Sequence, residues 1–275
     1  KLRKRFPEGV VVENKVGAGG AIAAELIARL RDKYSTDCTL AVLLRADSAS
    51  RALLPEGVAC VSSMHEVVQF QPDLVVEAAG HQAVRDYAHA CLSAGLSFVA
   101  VSVGVMADDS LYQQLRQAAK QGRAQLIFPS GAIGALDYIR AVRDLPDTQI
   151  VYESRKPPSA WADELQRLGK TQPIDQEVVL FDGHAREAAL RYPQNLNVAA
   201  SLALAGNGFE ATQVRIVVDP DATGNTHCVH ATGAFGDMQV QIVNKPSPDN
   251  PKTSWVVGLS LMATVERYFA PVVFG

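Results

Sequence analysis

Cysteine is scarce and scattered in this chain of 275 residues: Cys38, Cys60, Cys91 and Cys228 stand far apart, with no Cys-x-x-Cys pair and no His/Cys ligand spacing. Neither a zinc site nor a disulfide framework is indicated, so the expected metal complement is none and a reducing cytoplasm fits. No apolar stretch approaches the roughly 20 residues that span a bilayer. The basic run Lys1-Leu2-Arg3-Lys4-Arg5 lacks a following apolar h-region and reads as a solvated end rather than a targeting signal. An excess of one charge is lacking as well: the formal net charge is -3 and the basic residues are dispersed. That leaves no electrostatic footprint for nucleic acid or an anionic membrane, and a small-molecule partner is favoured. Internal repeats and low-complexity tracts are also missing.

Apolar residues, by contrast, make up 48% of the chain. They can fill a large core, and the length suits two modest domains. Val10-Val11-Val12, 39–44, Leu74-Val75-Val76, 98–101 and Leu126-Ile127-Phe128 read as buried strands, alternating with helices predicted over 21–32, 83–94 and 111–122. This alternation predicts an α/β fold with a Rossmann-type, doubly wound parallel sheet over 1–129. After Ser130 the texture changes. A helix is predicted over 132–143 and a strand over 149–153, before a polar, proline-containing stretch at 156–173. Strands at 177–181, 214–219, 227–231 and 238–243, with helices at 184–192 and 198–205, predict a C-terminal α+β substrate and dimerisation domain over 130–252. One face of its sheet should be covered by helices. A last helix within 253–275 follows the Asn250-Pro251 break and is expected to pack back on the first domain.

Several loops then carry chemistry. Gly17-Ala18-Gly19-Gly20-Ala21-Ile22-Ala23 stands between an apolar run and a helix. Glycines there would let a pyrophosphate approach the helix N-terminus, although the Gly-x-Gly-x-x-Gly spacing is imperfect and an ordinary helix-entry loop reads equally well. Glu13, Asn14 and Lys15 interrupt the preceding apolar run. Past the second strand, Arg45 is compatible with the 2'-phosphate of NADP or with a solvated surface. Ala78-Ala79-Gly80-His81 and Ser102-Val103-Gly104 follow the third and fourth strands, where open α/β sheets bind ligands. His81 could instead cap the helix after it.

In the second half stand Asn225-Thr226-His227, Gly233-Ala234-Phe235-Gly236 and Asn250-Pro251-Lys252-Thr253-Ser254. The first and last of these, together with Glu77-Ala78-Ala79-Gly80-His81, Val101-Ser102-Val103-Gly104, Ser130-Gly131-Ala132-Ile133-Gly134-Ala135, Arg155-Lys156-Pro157, Phe181-Asp182-Gly183, Tyr192-Pro193 and Asn197-Val198-Ala199-Ala200, resemble, in order and spacing over roughly 70–265, the bacterial L-aspartate dehydrogenases. At the N-terminus the chain departs from that family: aligned through Ala21-Ile22-Ala23, Ala18 takes the place of the first glycine and Gly20 that of the second. The resemblance implies reversible oxidative deamination of L-aspartate to iminosuccinate, then oxaloacetate and ammonia, with NAD or NADP taking the hydride. It implies His227 as catalytic residue, Ala132 and Asn197 beside the nicotinamide, a homodimer, and a role feeding quinolinate and NAD synthesis.

Hydride loss from an amino-acid α carbon requires proton transfers at the amine and at the water that adds to the imine, and an imidazole titrates in the right range. His227 is therefore the candidate acid/base, with a structural histidine as the alternative reading of the residues alone. His230, three positions on in a strand, should face the other way. A dicarboxylate needs cationic clamps. Lys252, Arg155 and Lys156 are candidates, with Ser130 and Thr253 as neutral donors, and each could instead be surface. The cofactor contacts expected are Gly19, Gly20, Ala21, Ile22, Arg45, Ala79, Gly80, His81, Ser102, Val103, Ala132 and Asn197. Two other readings compete: a two-domain reductase of the homoserine dehydrogenase or dihydrodipicolinate reductase type, and a catalytically silent dinucleotide-binding protein.

Overall fold

The computed structural model describes residues 10–13, 18–34, 38–45, 48–170, 173–192, 197–247 and 254–274, in two units, Lys1–Gly131 with Val257–Gly275 and Ala132–Val256. In the first unit, β1 (Val10–Glu13), α1 (Ala18–Tyr34), β2 (Leu40–Leu43), β3 (Ala59–Val61), α2 (Met64–Phe70) and β4 (Leu74–Glu77) come first. Then α3 (His81–Ala83) and α4 (His89–Ser93) are joined by a π-helical turn, followed by β5 (Ser97–Ala100), α5 (Asp109–Gly122) and β6 (Leu126–Ile127). All strands pair in parallel, in the order β3-β2-β1-β4-β5-β6. This is the order of a doubly wound dinucleotide-binding sheet, whose ligand crevice lies where the order reverses, between β1 and β4.

Every residue of β2, β4 and β5 is buried, because helices cover both faces and no strand needs a polar side. On α1, Ala23, Leu26, Ile27 and Leu30 recur at helical spacing and are buried. They share a core with Leu261, Met262 and Val265 of α10 (Val256–Phe269). Full burial of such leucines stabilises by about 1.5–3 kcal/mol each. Glu13 closes β1, paired in register with Leu43 on one side and Glu77 on the other. The glycine cluster differs from the sequence expectation: α1 begins at Ala18, so Gly19 and Gly20 lie in its first turn rather than in a loop before it. The first amides of a helix have no partner within it, which is what an approaching pyrophosphate uses.

The second unit comprises α6 (Leu136–Val142), β7 (Gln149–Lys156), α7 (Ala162–Arg167), β8 (Val178–His184), α8 (Ala185–Arg191), α9 (Asn197–Ala205), β9 (Thr212–Val218), β10 (Asn225–Gly233) and β11 (Gly236–Asn244). Its sheet runs β11-β10-β7-β9-β8, with β7 and β9 parallel and the other pairs antiparallel. Burial alternates along β7: Ile150, Tyr152, Ser154 and Lys156 face inward, while Val151, Glu153 and Arg155 are more open. Cross-strand pairing puts Ala231, Val229 and His227 of β10 on that inner face opposite Ile150, Tyr152 and Ser154. The helices α6, α8 and α9 cover it, with α9 against β9. In β8 a bulge between Val179 and Phe181 lets the consecutive Leu180 and Phe181 both be buried.

The helix expected over 132–143 begins only at Leu136. Ala135 holds φ +64°, left-handed backbone that an α-helix cannot continue through, and Gly131 takes the same φ.

Candidate active site

The first unit presents its chemistry at the carboxyl ends of β4 and β5. Glu77, the last residue of β4, is completely buried. Its carboxylate accepts the amides of Ala79 and Gly80, each at 2.7 Å, and both the amide (3.0 Å) and hydroxyl (2.9 Å) of Ser102 beyond β5. Burial pushes the Glu77 pKa up, and those donors pull it back by favouring the anion. One carboxylate thus shapes both loops. Gly80 sits at φ +125° with open space where a side chain would be, a conformation only glycine adopts readily. His81 opens α3 and is half-buried, its pKa lowered first by burial and then by Arg85. Val103 is buried in the short 3-10 turn Val103–Ala107. Arg45 is exposed just past β2, and Ala21 and Ile22 are half-buried in α1.

These features fit a dinucleotide. Small residues, Ala79, Gly80, Ser102 and Val103, follow β4 and β5 at the ends of the sheet where such folds bind ligands, and Arg45 is exposed just past β2. Ser130 shares its hydroxyl with Ser260 of α10 at 3.0 Å, and the Gly131 amide donates to the same Ser260 oxygen at 2.9 Å.

In the second unit the buried His227 is the centre. Its Nδ1 is hydrogen-bonded to the Tyr152 hydroxyl at 2.7 Å, with the two rings within 16° of parallel. Its Nε2 is buried and has no hydrogen-bond partner among the described residues. Burial lowers the His227 pKa to about 4, with help from the nearby Lys156 charge, so the imidazole is neutral at physiological pH. Lys156 ends the inner face of β7, is itself buried, and has its ammonium 5.5 Å from the centroid of the Trp161 ring. Burial lowers its pKa too. The Trp161 Nε1 is a second buried polar atom without a partner among the described residues.

Buried amides hold the end of β10 that carries His227. Asn225 donates to Ser254 Oγ at 3.1 Å, and Asn244, its partner in β11, donates to the Ala132 carbonyl at 2.8 Å. Ala132 is buried and Asn197 starts α9 half-buried. Gly224 is tight here, because a Cβ would collide with the Asn244 carbonyl oxygen.

The sequence-derived residues thus sort into groups. His227 and Lys156 come together on one face. Arg155 does not join them: it faces outward, bonded to Glu153 (2.7 Å), Asp219 (3.0 Å) and Glu177. His230 is likewise exposed and turned away, 2.6 Å from Asp237. Lys252 and Thr253 lie outside the described residues. Sequence reasoning assigned no role to Glu77, Tyr152 or Trp161. The signal for Glu77 was present, a carboxylate inside an otherwise apolar strand.

A Rossmann-type unit joined in one chain to a mixed-sheet unit with a buried neutral imidazole and a buried lysine defines a two-domain, dinucleotide-dependent oxidoreductase. Comparison with known proteins narrows the class. Residues 137–268 match the family model described as aspartate dehydrogenase, C-terminal, and 17–129 match that of the homoserine dehydrogenase NAD binding domain. L-aspartate dehydrogenase 2 of Bordetella pertussis is 46% identical over 257 residues, 93% of this chain and 96% of that protein. L-aspartate dehydrogenase of Ruegeria pomeroyi is 37% identical, covering 99% and 98%. The crystal structure of aspartate dehydrogenase from Thermotoga maritima superposes with a TM-score of 0.77 at 25% identity, covering 97% of this chain and 99% of that one. The chain belongs to the L-aspartate dehydrogenase family.

Proposed function

We propose that the protein catalyses the reversible, NAD- or NADP-dependent oxidative deamination of L-aspartate to iminosuccinate, which water converts to oxaloacetate and ammonia. The observation that carries the reading is the His227 imidazole, neutral, fixed through Nδ1 and open at Nε2, beside the buried ammonium of Lys156. When bound, the oxidised nicotinamide supplies the hydride acceptor for the substrate α carbon. Everything else falls to the chain. Lys156 binds a substrate carboxylate, a charge-assisted contact strengthened by burial. His227 Nε2 takes the proton lost by the α-amine as the C=N bond forms and releases it to solvent, then takes the proton of the water that adds to the imine and returns it to the nitrogen that leaves as ammonia. The loops fixed by Glu77, with Gly19, Gly20, Ala21, Ile22, Arg45, Ala132 and Asn197, receive the cofactor, and Ser130 and Thr253 are further donors to it or to substrate.

The protein acts as a cytoplasmic homodimer and feeds NAD synthesis in this reading. Free thiols at Cys38, Cys60, Cys91 and Cys228 suit a reducing compartment. Val151, Val179 and Val243, 39%, 45% and 54% exposed on the outer face of the five-stranded sheet, suit cover by a second copy.

The test follows reduced nicotinamide by absorbance, with L-aspartate and with NAD or NADP in parallel. Aspartate-dependent reduction that collapses in His227→Ala supports the reaction and its base, and a changed coenzyme ratio in Arg45→Ala supports ribose reading by that residue. No turnover with aspartate, nor with oxaloacetate and ammonia, overturns the proposal.

A further inference from the structure

We propose that Tyr152 is the positioning residue of the catalytic imidazole: its phenol oxygen accepts the Nδ1 proton of His227, which leaves the Nε2 lone pair as the only open position of the ring. The catalytic part of this proposal rests on the aspartate dehydrogenase reading above.

The geometry starts in the sheet. Ser154 of β7 stands directly opposite His227 of β10, and Tyr152 is two residues further along β7 on the same inner face. The phenol spans that diagonal and meets Nδ1 at 2.7 Å, with the two ring planes within 16° of parallel. Tyr152 is fully buried and Ser154 is 1% exposed, so neither competes with water for its partner.

Two chemical facts then fix the proton. Neutral imidazole has one N–H and one lone pair. His227 Nε2 is buried with no partner among the described residues. An orphaned buried N–H is rarer and more costly than an orphaned acceptor, so the proton sits on Nδ1 and the lone pair on Nε2. The phenol oxygen accepts from Nδ1, with the Ser154 side chain as its other polar neighbour. Protonation at Nε2 during turnover leaves this network untouched, because Nδ1–H donates to Tyr152 in both charge states of the ring. A phenol, unlike a carboxylate, adds no charge behind the imidazole. The base therefore stays neutral until substrate arrives.

The experiment uses histidine labelled with nitrogen-15 in the full-length protein, with and without NAD. The expected spectrum has His227 Nδ1 protonated and Nε2 with a free lone pair. In Tyr152→Phe, we expect mixed tautomers and a kcat about 100-fold lower, the scale of a misplaced reacting group, with the KM for aspartate within about threefold. Ser154→Ala, which keeps the phenol oxygen in place, should retain the Nδ1–H tautomer. A wild-type spectrum with the proton on Nε2, or a Tyr152→Phe enzyme with wild-type kcat and tautomer, overturns the proposal. Should Tyr152→Phe not fold, the wild-type and Ser154→Ala spectra decide. Those spectra need no turnover, so they separate failure of this proposal from failure of the aspartate reading.

Discussion

Ser102 reaches Glu77 across neighbouring strands twice, through its amide at 3.0 Å and its hydroxyl at 2.9 Å. The same carboxylate takes the amides of Ala79 and Gly80, so the two loops at the cofactor end of the sheet share one acceptor. Glu77→Gln keeps the volume but turns one accepting oxygen into a donor facing an N–H. Each buried group left unpaired costs about 1–3 kcal/mol. We expect a lower melting temperature and a dinucleotide Kd weaker by about tenfold, measured by quenching of protein fluorescence, with a near-normal KM for aspartate at saturating coenzyme. An unchanged Kd for both coenzymes would refute the role.

Much of this was legible in the sequence, and the misses have physical causes. Most strands of the first unit carry short apolar runs such as Val10-Val11-Val12 and Leu74-Val75-Val76, which the sequence shows; β3, with the exposed Ala59 and half-buried Cys60, offers no such run. No helix is predicted from the sequence at α2, although Ser63 caps it by accepting the Glu66 amide at 3.3 Å and the Glu66 carboxylate reaches back to accept the Ser62 amide at 2.8 Å. At the site, His227 could be named from its motif. Tyr152 could not, because its role depends on a diagonal contact between strands 75 residues apart. Arg155 and Lys156 are adjacent and look alike as clamps, yet strand alternation sends them to opposite faces.

The pH dependence of stability follows from His227. Its pKa is lowered to about 4 in the folded protein, against 6.5 for an ordinary histidine. Between those values the unfolded chain binds the proton and the folded one does not, so the stability contributed by the neutral buried ring is full above about pH 6.5 and is lost as pH falls towards 4. The loss attributable to this ring is on the order of 3 kcal/mol. Denaturant melts from pH 7 to pH 4.5 should show it in wild type and much less of it in His227→Gln. Equal slopes in the two proteins would contradict the assignment.

Arg155 tests the distinction between clamp and brace. It bonds Glu153, Asp219 and Glu177, and Arg215 also engages Glu153 at 2.9 Å. Arg155→Met leaves those carboxylates facing one another with less cation between them. We expect a loss of about 1–3 kcal/mol in stability, partly recovered in salt, and an unchanged KM for aspartate. A KM raised tenfold in a protein with normal melting would instead make Arg155 a substrate ligand.

Lys156 and His227 are coupled through charge, and substrate should cancel that coupling. In the empty protein the ammonium of Lys156 is the second cause, after burial, that lowers the His227 pKa. A substrate carboxylate on Lys156 would cancel that charge beside the ring and make Nε2 a stronger base when there is a proton to take. Lys156→Met should therefore raise the pKa of His227 in the free protein, from about 4 towards 6.5, and raise the KM for aspartate by about tenfold or more, the equivalent of at least 1.4 kcal/mol of binding. Succinate, a dicarboxylate with no amine to react, should raise the His227 pKa in wild type and have no effect on it in Lys156→Met. Nuclear magnetic resonance titration of the ring with and without succinate measures both. If succinate binds and the wild-type titration does not move, Lys156 does not hold the carboxylate and the coupling is refuted.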